Sequence, residues 1–192
     1  TWAAGNGLSS DDDSNLDGYA NSRYTIAVTA VHDQGSQSWY AEPGANILVA
    51  APSDGRDGIY TTDIEGNWGY SNGDYNSDFG GTSSATPLAS GVIALILDAN
   101  PNLTWRDVQH LLVQTSRKND ASDSGWNTNG AGHEVNHKYG FGVIDAGAAV
   151  DLASSWIIVP AETSIDTGVI SVNANIPDNT NNGPTDSITI TD

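Results

Sequence analysis

The chain of 192 residues carries 24 acidic side chains against 6 basic ones, a net charge of −18. This balance argues against nucleic-acid binding, which requires a basic footprint, and is compatible with a cationic substrate, with Ca²⁺ or with a salty environment. The absence of cysteine excludes disulfides, zinc–thiolate sites and a cysteine nucleophile. The length suits one domain and part of a second.

The first seven residues, TWAAGNG, predict the end of a buried strand that meets a glycine turn. Asn6 and Gly7 form a common turn pair, so the turn alone can explain Asn6. The alternative is catalytic, because an asparagine amide can donate a hydrogen bond to an oxyanion.

Three consecutive carboxylates, Asp11 to Asp13, follow this turn. Carboxylates this close repel one another unless water or a cation neutralises them, so the residues alone leave a solvated loop and a metal site open. Oxygen ligands without histidine or cysteine favour Ca²⁺ over zinc. The spacing does not match an EF-hand loop.

Two apolar runs, residues 24–31 and residues 46–52, predict buried strands of a parallel sheet. Residues 54–78 are rich in Gly, Asp and Asn, and they predict a long surface excursion with a short hairpin near residues 59–62. Nothing in the excursion indicates chemistry.

A glycine pair then leads to Ser83 and to an apolar run, residues 88–99. The run predicts a buried helix with Pro87 in its first turn, where a missing N–H has no partner to lose. Ser83 would lie at the helix N-terminus, among free N–H groups and the positive end of the helix dipole. Serine is also a preferred N-cap, so a capping role for Ser83 or Ser84 is the alternative to a nucleophile.

The rest of the chain predicts two further helices and then a change of structure. Thr104 is the expected N-cap of one helix, with Asp107 completing a capping box, and residues 145–150 predict a short closing helix. From Trp156 the composition shifts to Val, Ile, Thr, Asn and Pro, and residues 171–177 and 187–190 predict short strands.

The string Gly-Thr-Ser-x-Ala-x-Pro at residues 81–87, followed by an apolar helix, resembles the nucleophile motif of subtilisin-like serine proteases. DGYANSRYT at residues 17–25, TWRDVQHLLVQTS at residues 104–116 and HKYGFG at residues 137–142 resemble the kexin/furin group in particular. The resemblance implies an α/β fold. Residues 1–155 would be the C-terminal part of a subtilisin-like parallel-sheet catalytic domain, and residues 156–192 the first strands of a β-sandwich P domain.

The resemblance also assigns roles to eight residues: Ser83 and Asn6 to catalysis, Asp17, Tyr19, Trp2 and Ala3 to substrate binding, and Asp12 and Glu42 to Ca²⁺. Asp17 would lie at the base of the S1 pocket, where a carboxylate can hold a P1 arginine in a bidentate fork. Trp2 and Ala3 would form the pocket wall, and Tyr19 a more distal subsite. Ser14 stands where the family has a cysteine.

We therefore expect a secreted or extracytoplasmic, Ca²⁺-dependent serine endopeptidase that cleaves protein or peptide substrates after Arg or Lys through an acyl-enzyme. No apolar run reaches the roughly 18 residues of a membrane span, so we expect no membrane segment in this chain. None of the four histidines follows the family's His-Gly-Thr pattern. Because subtilisins run Asp, His, Ser along the chain, we expect a fragment that is inactive alone, its base and acid lying upstream.

Two other functions fit the same residues. One is a non-catalytic pseudoprotease or a Ca²⁺-stabilised binding module, whose complete protein would lack the base. The other is a subtilase of broad specificity, in which Asp17 is structural and its replacement would leave the preference for arginine unchanged.

Overall fold

A three-stranded parallel sheet lies at the centre of the fold. The computed structural model describes residues 1–163 and places Thr1–Val159 in one compact unit. Strands β1 (Trp2–Ala3), β2 (Ala27–Val31) and β3 (Ile47–Pro52) lie side by side in that order. Strand β2 is buried along its whole length, and every residue except Thr29 is apolar, as expected for a strand covered on both faces.

Three helices form the core with this sheet: α1 (Thr82–Ala99), α2 (Trp105–Thr115) and α3 (Ala146–Ala153). Helix α1 packs on all three strands and on α3, and α2 packs on β3 and α3. The shared apolar cluster includes residues of the sheet and of every helix, among them Val28, Val49, Ala85, Ile96, Leu111 and Ala149. Ala85, near the N-terminus of α1, is part of this cluster, so the start of the helix is anchored in the core.

The predicted capping box at the start of α2 is confirmed. The Thr104 side chain accepts a hydrogen bond from the Asp107 N–H, and the Asp107 carboxylate accepts one from the Thr104 N–H. Asp107 also accepts from Trp156 Nε1 and from the Val159 N–H, each at 2.8 Å. Burial raises the pKa of Asp107, but its donors outweigh burial and bring the pKa to about 2. The ionised Asp107 thus ties the segment after α3 to the start of α2.

Helix α1 differs from its prediction in three ways. It begins at Thr82, so Pro87 is its sixth residue and the expectation that Pro87 lies in the first turn was wrong. Leu88 and Leu95 are 41% and 54% exposed, so the helix is buried on one face only. At 18 residues it is also the one described helix long and apolar enough, by composition, to cross a membrane, although the sequence alone predicted no such run. Its packing on the sheet and α3 is that of a core helix.

The strands differ from their predictions mainly at their ends. Strand β2 begins at Ala27, because Tyr24 is largely exposed and packs edge-on against Trp105. The predicted hairpin is confirmed as β4 (Ile59–Thr62) pairing antiparallel with β5 (Tyr75–Phe79). A second small hairpin joins β6 (Asn127–Thr128) to β7 (Glu134–Val135). The strands expected at residues 171–177 and 187–190 lie outside the described residues and stay predictions, as does the P domain.

Candidate active site

Ser83 is the second residue of α1, and its side chain is exposed. Gly81, just before the helix, has φ +79° and ψ 171°, a conformation that favours glycine. No side chain caps α1, so the alternative role of Ser83 or Ser84 as an N-cap was wrong. Within residues 1–163, neither the hydroxyl nor the N–H of Ser83 has a hydrogen-bond partner, and both stay available at the positive end of the helix.

Asn6 lies against the first residue of the same helix. Its Oδ1 accepts hydrogen bonds from the N–H and from the hydroxyl of Thr82, both at 2.9 Å. The Thr82 hydroxyl in turn accepts from the Gly5 N–H at 3.3 Å. Because the oxygen of the Asn6 amide is held in this way, its Nδ2 is left as a donor, and Nδ2 lies 3.1 Å from the position that a Cβ on Gly81 would take.

A second group of side chains holds the loop before Ser83 from the end of β3. The Gly81 N–H donates to Asp54 Oδ1 at 2.8 Å, and the Ser53 hydroxyl donates to the Gly81 carbonyl at 2.8 Å. Tyr40, which is buried, donates its hydroxyl to Asp54 Oδ1 at 2.5 Å. Sequence analysis assigned no chemistry to this segment and missed these residues. A polar Ser-Asp pair at the carboxyl end of a parallel strand was the available clue, since such ends border the sites of α/β folds.

The predicted substrate-binding residues meet at the surface beside β1. Trp2 Nε1 donates to Asp17 Oδ2 at 3.2 Å, and the Trp2 and Tyr19 rings stack with centroids 4.9 Å apart. The Tyr19 N–H donates to Asp17 Oδ1 at 2.7 Å, and this bond, with those from Ala20 and Trp2, lowers the pKa of Asp17 against the opposing effect of burial. Ala3 lies next to this cluster in β1, paired with Val28. The structure thus brings an ionised carboxylate and two aromatic rings together.

The two residues expected to bind Ca²⁺ converge on Gly7. Glu42 is 8% exposed, and its Oε1 accepts from the Gly7 N–H at 2.7 Å. A Cβ on Gly7 would lie 2.7 Å from Asp12 Cβ and 2.9 Å from Glu42 Oε1. Burial raises the pKa of Glu42, and the charges of Asp12, Asp13 and Asp17 raise it further. This donor chemistry fits a hard cation, although residues 1–163 contain no group of three or more acidic or histidine side chains placed around one point.

Hydrogen bonds hold residues 11–17, the acidic segment, to the start of β3. Ser14 is fully buried and accepts from Asn46 Nδ2 at 3.1 Å. The Asn46 N–H donates to Asn15 Oδ1 at 3.1 Å. These contacts link the segment to the sheet at the position where the kexin/furin pattern has a cysteine.

The Subtilase family model matches residues 1–142. Human furin is 44% identical over 161 residues, which cover 82% of this chain and 19% of furin. The PC3-like endoprotease variant B of Hydra vulgaris is 44% identical over 167 residues, 84% of this chain and 22% of that protein. The chain therefore spans about a fifth of the length of these curated relatives.

Solved structures agree with this match. The crystal structure of the serine protease of Aeromonas sobria superposes with a TM-score of 0.79 at 28% identity, covering 83% of this chain and 37% of that one. Fervidolysin from Fervidobacterium pennivorans, at 23% identity and a TM-score of 0.55, shares the fold. The predicted subtilisin-like α/β fold is confirmed, and the chain belongs to the subtilase family of serine peptidases.

Proposed function

We propose that the protein containing this chain is a serine endopeptidase in which Ser83 attacks the peptide carbonyl and becomes the acylated residue. The observation that carries the proposal is the pair formed by Ser83 and Asn6. Ser83 is exposed with a free hydroxyl and N–H, and Asn6 is held by Thr82 so that its Nδ2 faces the same loop. These two N–H donors would stabilise the oxyanion of the tetrahedral intermediate.

The Ser83 hydroxyl must lose a proton as it attacks, and a histidine oriented by a carboxylate is the usual base. Within residues 1–163, no histidine side chain makes a hydrogen bond or ion pair with Ser83. The proposal therefore requires a base and an orienting acid from another part of the protein. A protein without them would be the non-catalytic alternative.

For the substrate, we propose a P1 arginine or lysine bound at Asp17. Hydrogen bonds to the ionised form lower the pKa of Asp17, so the carboxylate is present as an anion that can pair with a cationic side chain. The stacked rings of Trp2 and Tyr19 offer a flat surface on which a guanidinium can also pack. The similarity to furins supports the same P1 preference. On the same similarity we propose a secreted or extracytoplasmic location.

For the cofactor, we propose that Asp12 and Glu42 contribute oxygen ligands to Ca²⁺. The ion would neutralise carboxylates that otherwise raise the pKa of the buried Glu42. Two side chains do not complete the six to eight oxygens that Ca²⁺ takes, so backbone carbonyls and water would supply the rest.

The test is peptide hydrolysis by the full-length protein that contains this chain. A reactive phosphonate that labels the active serine measures the concentration of active sites. We expect cleavage after arginine and a loss of about 10⁶-fold in kcat for Ser83→Ala, the size of effect known for the subtilisin nucleophile. Ser90→Ala, on the same helix, is the matched control and keeps wild-type activity. Absence of both hydrolysis and labelling would establish the non-catalytic alternative. Cleavage without preference for arginine would establish a subtilase of broad specificity.

A further inference from the structure

We infer that Asp54, held by Tyr40, is a positioning residue for the nucleophile: it orients the peptide group of Gly81 and so sets the direction of the Ser83 hydroxyl and N–H. The inference rests on the proposed function of Ser83. It names residues of the β3 end that touch neither the peptide substrate nor the reacting atoms in the proposed mechanism.

The contacts on this side of the loop converge on one glycine. Asp54 Oδ1 accepts from the Gly81 N–H at 2.8 Å, while Ser53 Oγ donates to the Gly81 carbonyl at 2.8 Å. Ser53 Oγ also lies 2.6 Å from the hydroxyl of Ser84, which bonds the same carbonyl at 3.1 Å. Both polar groups of Gly81 are therefore bound to side chains, two residues before the nucleophile.

Asp54 lies close to both glycines of the loop, Gly80 and Gly81. A Cβ on Gly80 would lie 2.2 Å from the Asp54 carboxyl carbon. On the opposite side, a Cβ on Gly81 would lie 3.1 Å from Asn6 Nδ2. The glycine pair is thus confined between Asp54 and Asn6, so the loop has little room to rotate. An orientation held from both sides determines where the two oxyanion donors point.

The charge state of this group suits its role. Burial raises the pKa of Asp54, but hydrogen bonds from the Tyr40 hydroxyl and the Gly81 N–H outweigh it and leave the pKa below its usual range. Burial and the neighbouring Asp54 raise the pKa of Tyr40, so Tyr40 stays a donor. A charged acceptor makes a shorter and stronger bond to the Gly81 N–H than a neutral one.

The expected consequence is a loss of kcat with KM nearly unchanged. A displacement of about 1 Å at a reacting group can cost about 100-fold in rate, and it does not touch the pocket that binds the P1 side chain. We therefore expect Asp54→Ala to lower kcat per titrated active site by about 10- to 100-fold. Asp54→Asn keeps one oxygen acceptor, so its kcat should fall less than that of Asp54→Ala. Tyr40→Phe should show the smallest loss of kcat.

The experiment uses the full-length protein and active-site titration, so that an unfolded fraction does not lower kcat per site. A transition-state analogue, a peptide boronate ending in arginine, should bind Asp54→Ala more weakly in parallel with kcat, while a non-cleavable substrate analogue binds as to wild type. Asp57→Asn is the matched control. Asp57 lies three residues after Asp54, forms an ion pair with Arg56, and has a side chain that is 77% exposed.

The outcomes distinguish failure of the proposed function of Ser83 from failure of the positioning role of Asp54. Wild-type protein without hydrolysis overturns the proposed function, and this inference with it. Active wild type together with an unchanged kcat per site in Asp54→Ala overturns this inference alone, even if the variant melts at a lower temperature. If Asp54→Ala does not fold, the same readings on Asp54→Asn and Tyr40→Phe decide the question. Equal losses in the binding of both analogues would also overturn it, because the role would then be in substrate binding.

Discussion

The loop before the nucleophile and the acidic segment are held in different ways. Residues far apart in the chain fix the loop: Asn6 binds Thr82 from 76 residues away, and Asp54 binds Gly81 from 27 residues away. In the acidic segment most hydrogen bonds join near neighbours, such as Asp13 to Asn15 and Asp17 to Tyr19.

This difference indicates separate roles for the two regions, one in positioning the nucleophile and one in binding cations. The loop has its position set by the folded sheet and helix, which suits a nucleophile that must meet its substrate in one geometry. The acidic segment carries unbalanced charge, and burial and three neighbouring carboxylates raise the pKa of Glu42. We expect a bound cation and a cationic substrate to complete this region. Changes in the loop should alter the rate, and changes in the segment should alter specificity and the response to Ca²⁺.

Among the changes that leave the nucleophile in place, we expect the greatest loss of activity at Asn6. Asn6→Ala removes an oxyanion donor and should lower kcat by about 10²–10³-fold, a range measured on subtilisin itself. Asn6→Asp keeps an oxygen for Thr82 but has no N–H, so it should lose as much kcat while its melting temperature stays near wild type. If Asn6→Asp retained activity, the bond to Thr82 rather than the free donor would be the contribution of Asn6.

The next largest effect is expected at Asp17, in the acidic segment. Asp17→Ala removes the carboxylate proposed for the P1 side chain, so the ratio of kcat/KM for arginine over an uncharged P1 residue should fall by about 10- to 100-fold. Hydrolysis of paired peptides that differ only at P1 measures this ratio. Asp11→Ala is the control, from the same segment. An unchanged ratio would assign Asp17 a structural role and favour broad specificity.

A smaller effect is expected from a methyl group in the loop. Gly81→Ala places a Cβ at φ +79°, 3.1 Å from Asn6 Nδ2, and should lower the free energy of unfolding by about 1–3 kcal/mol. Gly91→Ala is a matched control in α1, where a Cβ meets nothing within 4 Å and alanine favours the helix. Thermal unfolding compares the two. Equal stability of both variants would show that the loop is not confined.

The smallest effect is the dependence of stability on pH at Glu42. Its pKa is raised in the folded state, so the folded protein binds more protons than the unfolded chain, and stability falls as pH rises through 4.5 to the folded value. Ca²⁺ beside the ionised carboxylate should reverse this loss, so the melting temperature should rise more with Ca²⁺ at pH 7 than below pH 4.5. Glu42→Gln should remove most of this difference. An identical Ca²⁺ response in the variant would exclude Glu42 as a ligand.

Features built from near neighbours in the chain were predictable. The capping box joins Thr104 to Asp107, three residues apart, and residue preferences alone indicate it. The buried strands β2 and β3 follow from continuous apolar runs, because strands covered on both faces have no polar side. The glycine pair and the apolar run around Ser83 likewise indicated a helix start, and α1 begins at Thr82.

Which distant side chains meet depends on how remote parts of the chain pack together. That Asp54 holds Gly81 depends on where β3 ends relative to α1, and no local pattern encodes that distance. The exposed face of α1 was missed for a related reason: apolar composition shows that a helix can be buried, but its neighbours determine which face is covered. Residue types and short-range preferences were thus enough to specify the chemical groups and the local backbone. Packing of the sheet against α1 determined the geometry in which these groups can act.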